Sequence, residues 1–164
     1  MKQANDIQIL MAEIEKSTRI LRKTADFLIA TETAELAQTG KTPAAAIMMA
    51  GILENYYTAL ETLFLRISQY FENHLPPEKW HMELLSRMTL AVTGLRERVI
   101  SDETRMHLLE LLRFRHFKRY YFEFEYDWPK IDFLIGRVKT VHPMVLKDVS
   151  LFREFLEKAA KSTD

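Results

Sequence analysis

Only four glycines and five prolines interrupt this 164-residue chain, and most of them fall where the apolar pattern changes phase. Between them, apolar residues recur at spacings of three, four and seven, the repeat of a helix with one buried face. The chain therefore reads as about five helices. The first carries Ile7, Leu10, Met11, Ile14, Leu21, Phe27 and Leu28, with Glu13, Glu15, Lys16 and Arg22 between them. Gln38 to Pro43 reads as a stop and a restart: Gly40 lies past a helix end, Thr42 is an N-cap and Pro43 occupies the first helical position. A long second helix, from about Pro43 to His74, carries Ile47, Ile52, Tyr56, Leu60, Leu63, Phe64, Ile67 and Phe71. Its first turns are so rich in Ala and Met that burial nearly all round is expected, which makes it the central helix. Leu75-Pro76-Pro77 ends it, because proline lacks the amide hydrogen and disfavours helix in the residue before it.

A shorter third helix starts near Glu78 with Trp80, Leu84, Leu85 and Met88, and Ser101 to Thr104 offers cap candidates for a fourth. The alternation from Glu123 to Asp127 reads as an extended connector, since a lone run has no strand to pair with. Asp127 and Pro129 open a fifth helix running through Ile131, Leu134, Ile135, Val138, Val145, Val149, Phe152 and Leu156, with a kink expected at Pro143. The expected architecture is an all-α, up-and-down bundle forming one domain over residues 1–164.

Lys+Arg and Asp+Glu stand at 23 each, so no global field attracts nucleic acid or an anionic surface, and any basic site must be local. The absence of cysteine excludes disulfides and thiolate metal sites. The N-terminal residues lack the uninterrupted apolar core of a signal peptide, and no apolar run reaches the length of a spanning helix. Cytoplasmic residence, with no membrane partner, is the expectation.

The largest departure from this background is Arg113 to Phe122, where four cations, one histidine and several aromatics occupy ten residues. On a helix, Arg115, His116, Arg119 and Tyr120 are related by three- and four-residue spacings and are expected to share one exposed sector, with Phe114, Phe117 and Tyr121 facing the bundle. Guanidinium forks bind phosphate oxygens, and an imidazole can move a proton near neutral pH. RNA brings its own 2′-hydroxyl nucleophile, so cleavage needs no metal or cofactor. None is offered here: no two histidines stand at ligand spacing. Arg115, His116 and Arg119 are the candidate catalytic groups, and Arg113, Lys118, Tyr120, Tyr121 and Glu61 the candidate RNA- or nucleotide-binding groups. The plainer possibility is that these cations are spent in ion pairs with Glu61, Glu123 and Glu125. Glu61, a carboxylate on a largely apolar helix, needs a partner, and Arg115 or Arg119 is the one expected. Trp80 and His81 read as an anchor and its polar neighbour, the Met48-Met49 pair as core or interface filler, and His74, His107 and His142 as surface or helix-end groups.

Three segments together resemble the HepT-like branch of the HEPN superfamily: Tyr57-Thr58, Glu61 and Arg66-Ile67; then Trp80-His81, Glu83-Leu84-Leu85 and Met88; then Arg113-Phe114-Arg115-His116 with Arg119, Tyr121, Phe124 and Asp127-Trp128. The resemblance covers about Ala50 to Trp128. It implies a helical homodimer that sets two Arg/His clusters across a cleft, a metal-independent endoribonuclease toxin paired with a nucleotidyltransferase-type antitoxin. The superfamily signature is an arginine followed, after four to six residues, by a histidine. With Arg115 as that arginine, Tyr120 stands where the histidine belongs, and His116 is left as a relocated catalytic or binding group. A non-catalytic subunit that holds a nucleotide or docks a nucleotidyltransferase fits the same residues. Tyr120 and Tyr121 could accept an AMP group, a modification known at the family level.

Overall fold

A computed structural model describes residues 2–72, 80–120 and 126–162. Five principal helices emerge: α1 (Lys2–Ala30), α2 (Pro43–Phe71), α3 (Trp80–Arg87), α4 (Asp102–Tyr120) and α5 (Trp128–Lys161). Among the described residues there is no strand, only an isolated antiparallel bridge between Val92 and Arg96. The bundle is all-α.

Helix α1 buries Ile7, Leu10, Ile14, Leu21, Ala25 and Leu28, one stripe at three-, four- and seven-residue steps. It continues through a π-helical turn, Thr31–Glu35, into a last turn, Leu36–Thr39, that stops at Gly40 with φ 73°. That left-handed region suits glycine. Thr42 caps α2: its Oγ1 accepts from the Ala45 amide at 3.1 Å, and Pro43 follows in the first turn. The chain ahead of α2 is thus set by three consecutive local signals.

Helix α2 contacts each of the other four and is the central element. Met49, Leu53, Tyr56, Tyr57, Leu60, Leu63, Phe64 and Ile67 are all fully buried, each such apolar side chain contributing about 1.5–3 kcal/mol relative to exposure. Burial of its first turns is one-sided, however. Ala45, Ala46 and Met49 face inward, whereas Ile47 and Met48 are exposed. Phe27 of α1 is likewise 59% exposed, rotated away from the stripe that Leu28 and Ala25 follow. The segment with Leu75, Pro76, Pro77, Glu78 and His74 lies outside the described residues, as does Glu123 to Glu125 of the expected connector.

The α3–α4 connection is pinned by a buried arginine. Arg96 Nε donates to Glu72 Oε1 at 2.8 Å, and its other nitrogens donate to the carbonyls of Leu90 at 2.7 Å and Arg87 at 2.9 Å. Ser101 then caps α4, its Oγ accepting from the Thr104 amide at 3.1 Å, while Asp148 of α5 accepts from both Ser101 N and Thr104 Oγ1. This fixes the rotational phase of α4. Its inward line is Thr104, Leu108, Leu111, Leu112 and then Arg115.

Two histidines are not the simple surface groups expected. His142, beside Pro143 within α5, is part-buried with its Nδ1 3.1 Å from the Tyr56 hydroxyl, and His107 Nδ1 lies 2.6 Å from Arg137 Nη1. Helix α5 runs on through Pro143 to Lys161.

Candidate functional site

Three helices bring charge together at one place. On α2, Thr58 and Glu61 lie three residues apart; α4 supplies Arg115 and α3 supplies His81. Arg115 Nη2 is 3.0 Å from Glu61 Oε1, and Arg115 Nε donates to Thr58 Oγ1 at 3.1 Å. The other carboxylate oxygen, Oε2, is 2.5 Å from His81 Nδ1. Arg115 and Glu61 are buried, with side chains only 8% and 6% exposed, while the His81 side chain is 23% exposed. A continuous guanidinium–carboxylate–imidazole line therefore runs from the core to the surface. The Trp80 ring lies over His81, centroids 3.7 Å apart and planes 30° from parallel.

The tautomer of His81 follows from its neighbours. An ionised carboxylate only accepts, so Nδ1 carries the hydrogen toward Glu61 and the neutral ring leaves Nε2 bare. Arg115 Nη1 also approaches Nδ1, at 3.5 Å, but a second donor there would compete with the much shorter carboxylate contact. The short contact decides the assignment. Tyr57 closes the inner wall; burial pushes its phenol well above the usual range, Glu61 pushes the same way and Arg115 opposes it. It stays a neutral hydroxyl.

The remaining residues of the basic run do not join this line. Arg115 is 6% exposed while His116, one residue and about 100° further around α4, is exposed, so the two do not share an open sector. That expectation is corrected by the phase of α4, which carries Arg115 on its apolar line. Arg113 pairs with Glu110 at 2.8 Å on the side facing α5, and Lys118 pairs with Glu54 of α2. Phe114 is buried as expected, but Phe117 is 42% exposed and, with Arg113, Tyr126 and Lys130, lines a cavity of about 490 Å³ between α4 and α5. The backbone of Arg119 and Tyr120 completes α4, while their side chains, and the whole of Tyr121, lie outside the described residues. So do Glu123 and Glu125, two of the three carboxylates expected to pair with the run. No group of three or more His, Asp or Glu that could hold a metal occurs among the described residues.

Sequence reasoning missed His81 as a member of this line. A signal was present in the Trp80-His81 pair and in the need of Glu61 for a second partner, but only the packing of α3 on α2 joins them.

The model of a family described as HepT-like protein matches residues 48–156, about two thirds of the chain and all of the site. This chain belongs to the HepT-like family. The match takes in most of α2, all of α3 and α4 and most of α5, so every residue of the Arg115–Glu61–His81 line lies within the region common to HepT-like proteins. Comparison with curated proteins and with solved structures found no match. Among the described residues of this HepT-like chain, no helix is long and apolar enough to cross a membrane.

Proposed function

We propose that this HepT-like chain is the toxin component of a toxin–antitoxin pair and acts on RNA, with His81 as its acid–base group. The observation that carries the reading is the 2.5 Å contact from His81 Nδ1 to the buried Glu61 carboxylate. A carboxylate on one ring nitrogen orients the imidazole and stabilises the imidazolium once the other nitrogen has taken a proton. Nε2 can then remove the hydrogen of an RNA 2′-hydroxyl. The 2′-oxygen attacks the adjacent phosphorus, the bond to the 5′-oxygen breaks, and that oxygen takes a proton from water while the His81 imidazolium returns its own proton to water. The products are a 2′,3′-cyclic phosphate and a 5′-hydroxyl, and no outside reactant is consumed. Arg115 is a positioning residue here: it holds the Glu61 carboxylate in place from the inner side. Arg119 and Tyr120, one turn further along α4, remain the proposed phosphate and base contacts, and Tyr121 is proposed as a further base contact.

A specific observation favours a second reading. Arg113, Arg115 and Lys118 are each paired with a carboxylate, which leaves less cationic surface for a polyanion than the bare sequence implies. In that reading the chain is a non-catalytic subunit that docks a nucleotidyltransferase-type partner or holds a nucleotide. Turnover separates them. Purified protein incubated with a mixture of RNAs in EDTA should yield fragments ending in cyclic phosphate, and His81→Ala should abolish them. Intact RNA across neutral pH, together with a stable complex with the nucleotidyltransferase, would establish the second reading instead.

A further inference from the structure

Between the C-terminal half of α4 and the first turn of α5 lies the cavity of about 490 Å³, which the His81 line does not use. Small-molecule sites typically span about 300–1,000 Å³ and are mostly apolar, with a few placed polar groups. The lining follows that plan. Phe114 and Ile131 are buried side chains of the two helices, and the Phe114 and Tyr126 rings meet at 6.3 Å between centroids with planes 57° apart. The exposed Phe117 adds a ring on which a planar ligand can stack. Charge is arranged among these rings. Glu110 holds Arg113 by one oxygen at 2.8 Å and Lys130 by the other at 3.4 Å, which ties cations from both helices to one carboxylate. Both cations stay in solvent, with side chains 62% and 47% exposed, and each carries N–H donors beyond the one spent on Glu110. Asp127 also lines the cavity; it is the N-cap residue of α5, but its side chain makes no capping hydrogen bond.

We infer that this cavity is a base-specificity subsite that takes a guanine of the RNA, with the neighbouring phosphate on Arg113 and Lys130. The inference rests on the RNA reading above. A flat base stacks on the aromatic lining, and stacking alone accepts any base. Asp127 makes the choice. Its ionised carboxylate only accepts hydrogen bonds, and guanine is the base whose pairing edge sets two donors side by side, N1–H and the 2-amino group. Adenine and cytosine place a ring-nitrogen acceptor next to their amino group, and uracil flanks its one N–H with carbonyls, so each turns an acceptor toward the carboxylate. Guanidinium and ammonium groups make charge-assisted hydrogen bonds to phosphate oxygens, which suits the cations at the mouth. The path of the strand follows from α4. At 3.6 residues per turn, positions 119 and 120 fall on the arc of the helix that leads from Arg115 round to Arg113. A strand held at those positions therefore runs from the His81 line to the cavity.

Isothermal titration of the purified chain with 5′-GMP, 5′-AMP, 5′-CMP and 5′-UMP reads the subsite without turnover. 5′-GMP should bind at least about tenfold more tightly than the others, the worth of one bidentate contact to a base edge. Asp127→Asn should remove that advantage. Phe117→Ala should weaken 5′-GMP at least about tenfold, the worth of a lost stacking ring, with unchanged helical circular dichroism. Arg113→Ala should weaken 5′-GMP but not guanosine, which has no phosphate. Cleavage sites mapped on a mixed RNA should lie at a fixed distance from a guanine and scatter in the Phe117→Ala chain. Equal affinity for the nucleotides, or 5′-GMP binding indifferent to Phe117→Ala and Asp127→Asn, would overturn the subsite even where RNA is cut. Guanine-selective binding that needs Phe117 and Asp127, in a protein that leaves RNA intact, would uphold the guanine site and defeat the cleavage reading alone.

Discussion

Replacing Arg115 by methionine tests the buried line through its energetics. The substitution keeps much of the apolar stem but removes the donors to Glu61 Oε1 and Thr58 Oγ1. With the Glu61 side chain 6% exposed, water cannot take the place of the lost guanidinium. Breaking one side of a buried pair costs about 3–5 kcal/mol, because a carboxylate is left uncompensated. His81 keeps its bond to the other oxygen, which places the expected loss at the lower end, about 3 kcal/mol. For a chain of this size that is a fall in melting temperature of roughly 6–12 °C. Urea unfolding followed by circular dichroism measures it. The double variant Arg115→Met, Glu61→Leu should be more stable than Arg115→Met alone, since removing both charges removes the uncompensated one. A loss below about 1 kcal/mol for Arg115→Met, or a double variant as unstable as the summed single variants, would refute the claim that these charges depend on one another.

Three further outcomes are expected. His116→Ala should leave RNA cleavage within about threefold of the parent in a gel assay, whereas His81→Ala should cost at least about a hundredfold, as loss of a general base does. Thr42→Ala should destabilise by about 1 kcal/mol in denaturant unfolding, the usual worth of an N-cap. Stability should fall as pH drops through the ordinary imidazole value of 6.5: burial, with Arg22 adding to it and Asp26 opposing, holds His142 below that value in the folded chain. The unfolded chain therefore takes up that proton first, stability declines until the folded value is reached, and His142→Gln should flatten the decline.

Much of the fold was legible in the chain. Gly40, Thr42 and Pro43 act through their own backbone preferences, and Ser101 and Thr104 through a local hydrogen bond, so no distant contact was needed to place the starts of α2 and α4. The site was only half legible. The need of Glu61 for a cation followed from its apolar helix, but the direction of Arg115 did not follow from its charge. Leu108, Leu111 and Leu112 already define an inward line whose next member is Arg115, so the helical phase outweighed the expectation that a basic run faces solvent. His81 was harder, because it lies twenty residues from Glu61 in sequence and the two meet only after α3 docks. Phe27, Ile20 and Ile9 look like core residues by composition; their exposure depends on which side of α1 the rest of the bundle covers.

The central claim is that Glu61 holds the hydrogen of His81 on Nδ1 and leaves Nε2 without one. Long-range ¹H–¹⁵N correlation spectra of the imidazole at a pH where it is neutral read this directly. The account predicts a protonated Nδ1 and a bare Nε2 for His81, with Glu61→Gln shifting that balance. A proton residing on Nε2, or a spectrum indifferent to Glu61→Gln, would contradict it.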